Sequence, residues 1–349
     1  MRSDQNHILV NQQGKSYRID SVNDHLISRL QSYSGLALVC DANTKIYANE
    51  ILELVPQGFI EEIPVGEGSK SFQQLELSCE RLSGKLHRDS AVVAVGGGVV
   101  GDFAGFLSSI LLRGLDLFMV PTSLLAMVDS SIGGKTAINL KNGKNLVGSF
   151  VTPNGIWIHL ESLKTLPREH YYSGFGEMVK HAVLDSSDLL QKTLDGFDDY
   201  DKLIDLIFES IRIKKSVVEQ DFRESGLRKC LNLGHTVGHA LEMVYGFKRA
   251  HGICVLEGLI IEHRIAQRLG YTDGKWLKSL EQIWFSMGFS NFQGDPQELH
   301  PFLLKDKKNK LGTIDFSFCT QPGELAWFGG QPILSLAAEQ FFELLEGVL

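Results

Sequence analysis

AVVAVGGGVVGDFAGF, residues Ala91 to Phe106, is the stretch that decides the fold. A short apolar run meets three consecutive glycines, and a helix-compatible segment follows without a break. Gly96, Gly98 and Gly101 satisfy G-x-G-x-x-G directly after a strand and at the opening of a helix, where backbone N–H groups hold a pyrophosphate. A glycine triple alone is a common turn in α/β proteins, but this context and Asp102 just after it point to a nucleotide. An ordinary Rossmann unit carries an acidic residue about 20 positions on. Asp116 is near but lies in a strand pattern, so the unit is read as nucleotide-binding without being an ordinary Rossmann one.

Outward from this stretch, LALVCD (Leu36–Asp41), LFMVP (Leu117–Pro121) and GIWIHL (Gly155–Leu160) are further short apolar runs, each leading into a turn or a helix start. That alternation is the pattern of βα units and a mostly parallel sheet. From about Leu163 the texture changes: HYYSGFGEMVKHAVL, DDYDKLIDLIFESIRIKKSVVEQ and HGICVLEGLIIEHRIAQRL carry apolar residues at three- and four-residue intervals. The expected organisation is an α/β nucleotide-binding domain over 1–160 and a mainly α-helical domain over 161–349. LGTIDFSFC and GELAWFG are expected to form a small hairpin with Gln321-Pro322-Gly323 in its turn. There is no internal repeat and no low-complexity tract.

A chain of 349 residues can bury a large core in two domains. With 34 basic and 42 acidic residues it carries a formal charge of −8, which argues against nucleic acid as the main partner while allowing a local basic pocket. Cys40, Cys79, Cys230, Cys254 and Cys319 are odd in number and form no C-x-x-C pair, which fits free thiols in a reducing compartment. MRSDQNHILVNQQGKSYRID lacks the apolar core of a signal peptide, and no apolar run approaches membrane-spanning length. A soluble cytoplasmic protein with no membrane partner is expected.

PTSLLAMVDSSIGGKTA, Pro121 to Ala137, joins helical apolar spacing to Asp129, Ser130, Ser131 and Lys135 beside Gly133-Gly134. A carboxylate and an ammonium this close, next to glycines that let backbone approach a ligand, suggest a polar substrate pocket. A Walker loop is excluded by spacing, because Asp129 stands where its first glycine belongs. Asp41 and Asn43 lie at the carboxyl end of a strand, where open α/β sheets bind ligands. Glu67 and Lys70 follow in VGEGSKS; these four residues can hold ribose hydroxyls and phosphate, or be a capped turn and a solvated loop.

His235 and His239 in LNLGHTVGHALE are four apart and share one helix face. A metalloprotease would place Glu directly after the first His, where this chain has Thr236. The pair can be structural, or it can join His251 of AHGICV and Glu177 of SGFGEMVKH in a two-His, one-carboxylate catalytic zinc site. Glu177 and Lys180, three apart, can face one pocket or form a weak surface ion pair. KKSVVEQDFRESGLRKCLN concentrates cations near these donors, which suggests an anionic substrate, with Arg228 the foremost candidate. LLKDKKNKLG reads as a basic turn.

Taken together, GGGVVGDFAGF, RG followed by VPTSLLAMVDSSIGGKTAIN, GKNLVGSF, GEMVKH, RESGLR, LNLGHTVGHALE and HG resemble the 3-dehydroquinate synthase family, in that family's order, from about Asp41 to Lys308. The resemblance implies an N-terminal α/β nucleotide domain, a helical C-terminal domain, a site in the cleft between them, and a homodimer. It implies NAD and a divalent metal, zinc or cobalt, in a cyclisation of 3-deoxy-D-arabino-heptulosonate 7-phosphate to 3-dehydroquinate with loss of phosphate. By resemblance the metal ligands are Glu177, His235 and His251, and His239 is a substrate or acid–base residue. Asp129, Lys135, Asn145, Lys180, Lys214, Arg228, Asn232 and one of Lys307 and Lys308, with Lys307 favoured, match substrate-site positions; Arg113 matches an arginine reaching the neighbouring subunit's site.

For NAD the matching positions are Asp41, Asn43, Glu67, Lys70, Gly97, Gly98, Val99, Asp102, Thr122, Ser123, Lys144, Thr165 and Leu166, with Lys135 shared. Two departures stand out: Ile253 follows His251-Gly252 where the family often has Glu, and His170 follows Glu169 where a nicotinamide-side Glu is expected. In the implied mechanism a hydride leaves to NAD, phosphate is eliminated, the hydride returns and an intramolecular aldol closes the ring. Phosphate is held by Lys135, Arg228 and Lys307 and acts as the base. The alternatives are another sugar phosphate cyclase such as a 2-epi-5-epi-valiolone or 2-deoxy-scyllo-inosose synthase, a glycerol-type dehydrogenase, and an inactive NAD-binding scaffold. Asn232 and His239 favour the dehydroquinate type.

Overall fold

The structure is a computed structural model that describes residues 7–12, 14–21, 24–305 and 312–349, so Lys307 and Lys308 lie outside the described residues. The chain packs as two compact units that divide between Pro167 and Arg168.

The first unit contains β1 (Ile8–Gln12), β2 (Lys15–Ser21), β3 (Leu36–Cys40), β4 (Gly58–Glu62), β5 (Ala91–Gly96), β6 (Asp116–Pro121), β7 (Lys135–Leu140), β8 (Gly143–Phe150) and β9 (Gly155–Ile158). Its helices are α1 (Asp24–Leu30), α2 (Lys45–Leu52), α3 (Phe72–Ser83) and α4 (Gly98–Ile110). Seven strands form one sheet in the order β1-β2-β9-β6-β5-β3-β4, and every pair except the β1–β2 hairpin is parallel. β7 and β8 form a separate antiparallel hairpin. All residues of β3, β5 and β9 are buried, which is why these strands read as continuous apolar runs rather than alternating ones. Leu38, Val93, Phe118 and Trp157 make the core with Leu26 and Ala48 of the covering helices.

The turn after β9 stays with the sheet because Ser162 Oγ donates to the carbonyls of Thr122 and His159, at 2.8 and 2.6 Å. The helical spacing of PTSLLAMVDSS yields a short helical segment, π-helical over Ala126–Ser130, before the positive-φ pair Gly133-Gly134 turns the chain into β7.

The second unit contains α5 (Arg168–Asp185), α6 (Ser187–Asp195), α7 (Tyr200–Gln220), α8 (His235–Val244), α9 (His251–Arg268), α10 (Leu277–Ser286), α11 (His300–Lys305) and α12 (Ala338–Glu346). Four short strands accompany them: β10 (Thr313–Phe316), β11 (Cys319–Gln321), β12 (Glu324–Leu325) and β13 (Leu334–Ala337). Ser186 and Asp199 cap α6 and α7 by accepting from backbone N–H groups of the first turns. The hairpin anticipated near the C-terminus forms only as β11–β12, with Gln321 opposite Glu324. The preceding segment pairs with β13 instead, which buries Ile314 and Phe316 against Phe341 and Leu345 of α12. All five cysteines are free. Among the described residues no helix is long and apolar enough to cross a membrane.

Candidate functional site

In the first unit the parallel strands β9, β6, β5, β3 and β4 all point the same way, so the loops at their carboxyl ends share one edge of the sheet. Thr165 and Leu166 follow β9, Thr122 and Ser123 follow β6, Gly97, Gly98 and Val99 follow β5, Asp41 and Asn43 follow β3, and Glu67 and Lys70 follow β4. Five separate loops thus bring the nucleotide candidates to the edge where open α/β sheets bind ligands. Gly97 precedes α4 in extended conformation and Gly98 opens it. A Cβ added at Gly97 or Gly98 would meet Ser123 Oγ or Ser130 Oγ at 3.2 and 3.1 Å, so the backbone there is fitted closely to its neighbours. The free N–H groups of this helix start make an anion cradle.

Asp116, the alternative acidic partner, accepts from Tyr33 Oη at 2.7 Å at the amino end of β6, the opposite edge. Asp41 uses one oxygen to cap its own turn, accepting from the N–H groups of Asn43 and Thr44 at 3.0 and 3.1 Å. Lys70 is not a solvated loop residue. Its side chain is 2% exposed, and its ammonium donates to Asp102 at 2.6 Å and to Asn145 Oδ1 at 2.5 Å. Asn139, which sequence reasoning missed, completes this network: its amide donates to Glu67 Oε2 at 2.7 Å and its Oδ1 accepts from the Asn145 N–H at 2.9 Å. Asn145 sits at φ 55°, a left-handed conformation that its short amide tolerates. Lys135 and Lys144 are exposed on the β7–β8 hairpin, and Asp129 lies in the π-helical segment before it. Arg113 lies in a loop of positive φ, at 70°, next to Leu112 at 52°.

In the second unit Glu177 of α5, His235 of α8 and His251 of α9 converge. The Nε2 atoms of His235 and His251 lie 3.6 and 3.5 Å from Glu177 Oε1. Ligands about 2.1 Å from a tetrahedral zinc stand about 3.4 Å apart, so these three donors fit such an ion. His235 Nδ1 donates to the Leu233 carbonyl at 3.1 Å, and His251 Nδ1 donates to the Glu242 carboxylate; both rings therefore turn Nε2 toward Glu177. Burial and the neighbouring Lys180 ammonium hold His235 well below the usual histidine range. Burial opposes protonation of His251 too, but the Glu177 and Glu242 carboxylates outweigh it and raise that ring to about 10. Glu177 is fully buried, and its Oε2 forms an ion pair with Lys180 Nζ at 2.5 Å; Lys180, 1% exposed, donates to the Leu231 carbonyl at 3.0 Å. The surface ion pair allowed by the i,i+3 spacing is thereby excluded. His239 joins the cluster, with its ring 5.3 Å from His235 and 5.8 Å from His251.

Close helix crossings put these donors together. A Cβ at Gly176 would collide with the Gly252 carbonyl, and one at Gly258 with the Gly234 carbonyl, so α5 and α8 each press backbone against α9 beside a donor. Gly234, at φ 75°, turns the chain into α8 immediately before His235. Glu262 of α9, fully buried, accepts from the N–H groups of Gly234 and Val237 at 2.8 and 2.9 Å and so caps that helix.

Of the remaining candidates, Lys214 and Arg228 are buried and Asn232 is half-buried. Asp221 and Glu224, not singled out from sequence, arrange this segment. Burial works against the Asp221 charge, but donation from the N–H groups of Gly226, Ser225 and Arg228 holds its carboxyl down to about 2. Glu224 accepts from Asn232 Nδ2 at 2.7 Å. Of the departing positions, Ile253 is a buried core side chain, His170 is exposed, and Glu169 accepts from the Ala250 N–H at 3.2 Å.

Comparison with known proteins places this architecture. A family profile described as "3-dehydroquinate synthase N-terminal" matches residues 60–173, and one described as "3-dehydroquinate synthase C-terminal" matches residues 174–309. The 3-dehydroquinate synthase of Symbiobacterium thermophilum is 43% identical over 307 residues, 82% of this chain and 85% of its own. That of Dictyoglomus thermophilum is 42% identical over 273 residues, 76% of this chain and 77% of its own. A solved 2-deoxy-scyllo-inosose synthase complexed with carbaglucose-6-phosphate, NAD+ and Co2+ shares the fold, with a TM-score of 0.89 and 23% identity over 98% of this chain and 100% of its own. The chain belongs to the 3-dehydroquinate synthase family.

Proposed function

We propose that the protein converts 3-deoxy-D-arabino-heptulosonate 7-phosphate to 3-dehydroquinate and phosphate, the reaction its relatives are named for, as an NAD- and metal-dependent lyase of aromatic biosynthesis. The observation that carries the chemistry is the set Glu177, His235, His251 and Lys180: one carboxylate oxygen and two imidazole nitrogens at zinc-like spacing, with an ammonium beside the other carboxylate oxygen. The inosose synthase with NAD+ and Co2+, of the same fold, supports NAD and a divalent ion here. The identities of 43% and 42% to dehydroquinate synthases, against 23% to the inosose synthase, favour the first substrate over the second.

When bound, a divalent ion supplies Lewis-acid polarisation and NAD supplies reversible hydride acceptance. Glu177, His235 and His251 would hold the ion, and the Gly97–Val99 backbone the pyrophosphate. Lys180 places its ammonium against the second oxygen of Glu177 and balances that charge in a buried site. His239, whose ring lies beside both ligand histidines, exchanges a proton with a substrate hydroxyl. Asp129, Lys135 and Asn145 of the first unit, and Lys214, Arg228 and Asn232 of the second, are assigned to substrate. The protein is assigned to the cytoplasm as a homodimer, in which Arg113 serves the neighbouring subunit.

The test is phosphate release from 3-deoxy-D-arabino-heptulosonate 7-phosphate, with and without NAD, before and after chelation. Release that needs both, with no net NADH, supports the reading. Turnover of glucose 6-phosphate or sedoheptulose 7-phosphate instead would move the protein to a sister cyclase.

A further inference from the structure

We propose that Glu242 is a positioning residue for the metal centre, its carboxylate fixing the ring of His251 so that Nε2 faces Glu177 and His235. The inference rests on the reading of those three residues as metal ligands. Glu242 lies on α8, one helical turn beyond His239 and on the same face, and is 7% exposed. Its Oε1 accepts from His251 Nδ1, while the opposite ring nitrogen lies 3.5 Å from Glu177 Oε1. On His235 the corresponding nitrogen, Nδ1, donates to the Leu233 carbonyl. The two histidines therefore differ: one is oriented by backbone and the other by a buried charge. A carboxylate on the far nitrogen fixes the tautomer and strengthens the near nitrogen as a donor. The contact also ties α8 to the first residue of α9, and Glu262 of α9 caps α8 in return.

His239, Glu242 and His251 themselves lie close enough to be taken for a second cation site. The direct hydrogen bond argues against it, because an ion between Nδ1 and the carboxylate would hold them about 3.3 Å apart.

The experiment uses full-length protein stripped by chelator and titrated with Co2+ against a competing chromophoric chelator, for wild type, Glu242→Gln, Glu242→Ala and Glu177→Gln. Circular dichroism establishes folding, and the visible Co2+ absorption reports ligand geometry. We expect wild type to bind one Co2+, Glu177→Gln to lose it, and Glu242→Ala to bind about 10- to 100-fold more weakly with a shifted visible spectrum. Glu242→Gln, which still accepts from Nδ1 but carries no charge, should fall between. A merely structural residue would lower thermal stability and leave Co2+ affinity and spectrum of the folded protein unchanged. If Glu242→Ala does not fold, the near-isosteric Gln variant decides.

Wild-type affinity and spectrum in Glu242→Gln would overturn the proposal while leaving the ligand assignment intact. Two Co2+ per wild-type chain, the second lost in Glu242→Gln, would make Glu242 a ligand and overturn it too. No Co2+ bound by wild type would overturn the metal reading and this inference with it.

Discussion

Gly234→Ala probes how closely the second unit is fitted around His235. Gly234 has φ 75°, and an alanine there carries left-handed strain of about 1–2 kcal/mol. Its Cβ would also stand 2.5 Å from the Val255 carbonyl oxygen and 2.9 Å from the Leu259 nitrogen, both backbone atoms of α9. Since real Cβ atoms stay beyond 3.0 Å, α8 and α9 must part by at least about 0.5 Å at this level. Overpacking of this kind adds about 1–3 kcal/mol, so the total is about 3 kcal/mol. His235 is the next residue, and metal sites hold their distances to about 0.2 Å, so the required shift exceeds what the ligand geometry absorbs.

Gly246→Ala is the matched control. Gly246 has φ 58°, but nothing lies within 4 Å of its added Cβ, so it carries the strain without the collision. Thermal melts and Co2+ titration should separate the two. At about 2–4 °C per kcal/mol for a unit of this size, Gly246→Ala should lose a few degrees and keep wild-type Co2+ affinity, while Gly234→Ala should lose roughly 6–12 °C and bind Co2+ at least tenfold more weakly. Equal melting losses with unchanged Co2+ affinity in both would refute the argument that the α8–α9 approach sets the ligand spacing.

His263 gives a pH dependence independent of the site. It is fully buried; its Nδ1 donates to the Leu259 carbonyl at 2.7 Å and its Nε2 accepts from the Cys319 N–H at 3.0 Å, and burial depresses it to about 4. A depressed pKa means that the unfolded chain binds the extra proton, so this stability is present above about 6.5 and falls away as pH drops toward 4, about 3 kcal/mol in all. Denaturant midpoints should fall over that range in wild type and less steeply in His263→Gln; parallel slopes would exclude the assignment. Lys70→Met should destabilise the first unit by about 2 kcal/mol, because it leaves the partly buried Asp102 without its ammonium. It should also weaken NAD binding in a fluorescence titration; wild-type NAD affinity in a folded variant would separate this network from the nucleotide edge.

Much of the first unit was legible because both faces of its central strands are covered, so β3, β5 and β9 announce themselves as unbroken apolar runs. The C-terminal strands were not, because Ile314 and Phe316 answer to Phe341 and Leu345 on a helix far along the chain rather than to the nearby Pro322-Gly323 turn. The donor set for a metal could be named from residue types, but spacing alone left His239 as eligible as His251. The structure separates them by placement: His251 Nε2 lies 3.5 Å from Glu177 Oε1 in one group with His235, while its Nδ1 is held by Glu242. Asn139, Glu224 and Glu242 lie within the family-like stretches and Asp221 in the cation-rich one, but residue type and spacing assign none of them a role. Asn139 contributes through contacts made across the chain, and the other three through bonds whose partners lie four to nine residues away in turns or on the next helix.

The glycines beside the donors hold the least visible part of the design. Gly176 precedes Glu177, Gly234 precedes His235 and Gly252 follows His251, and in a helical sequence each reads as a weak point about 1 kcal/mol worse than alanine. Their value lies in the neighbouring helix: a Cβ at Gly252 would strike the Ser173 carbonyl, and one at Gly176 the Gly252 carbonyl. Here a carboxylate and two imidazoles approach within 3.6 Å on helices that come to backbone contact, and residues without a side chain permit that contact. The local penalty and the donor spacing are therefore one feature, and the penalty makes sense only once the partner helix is known.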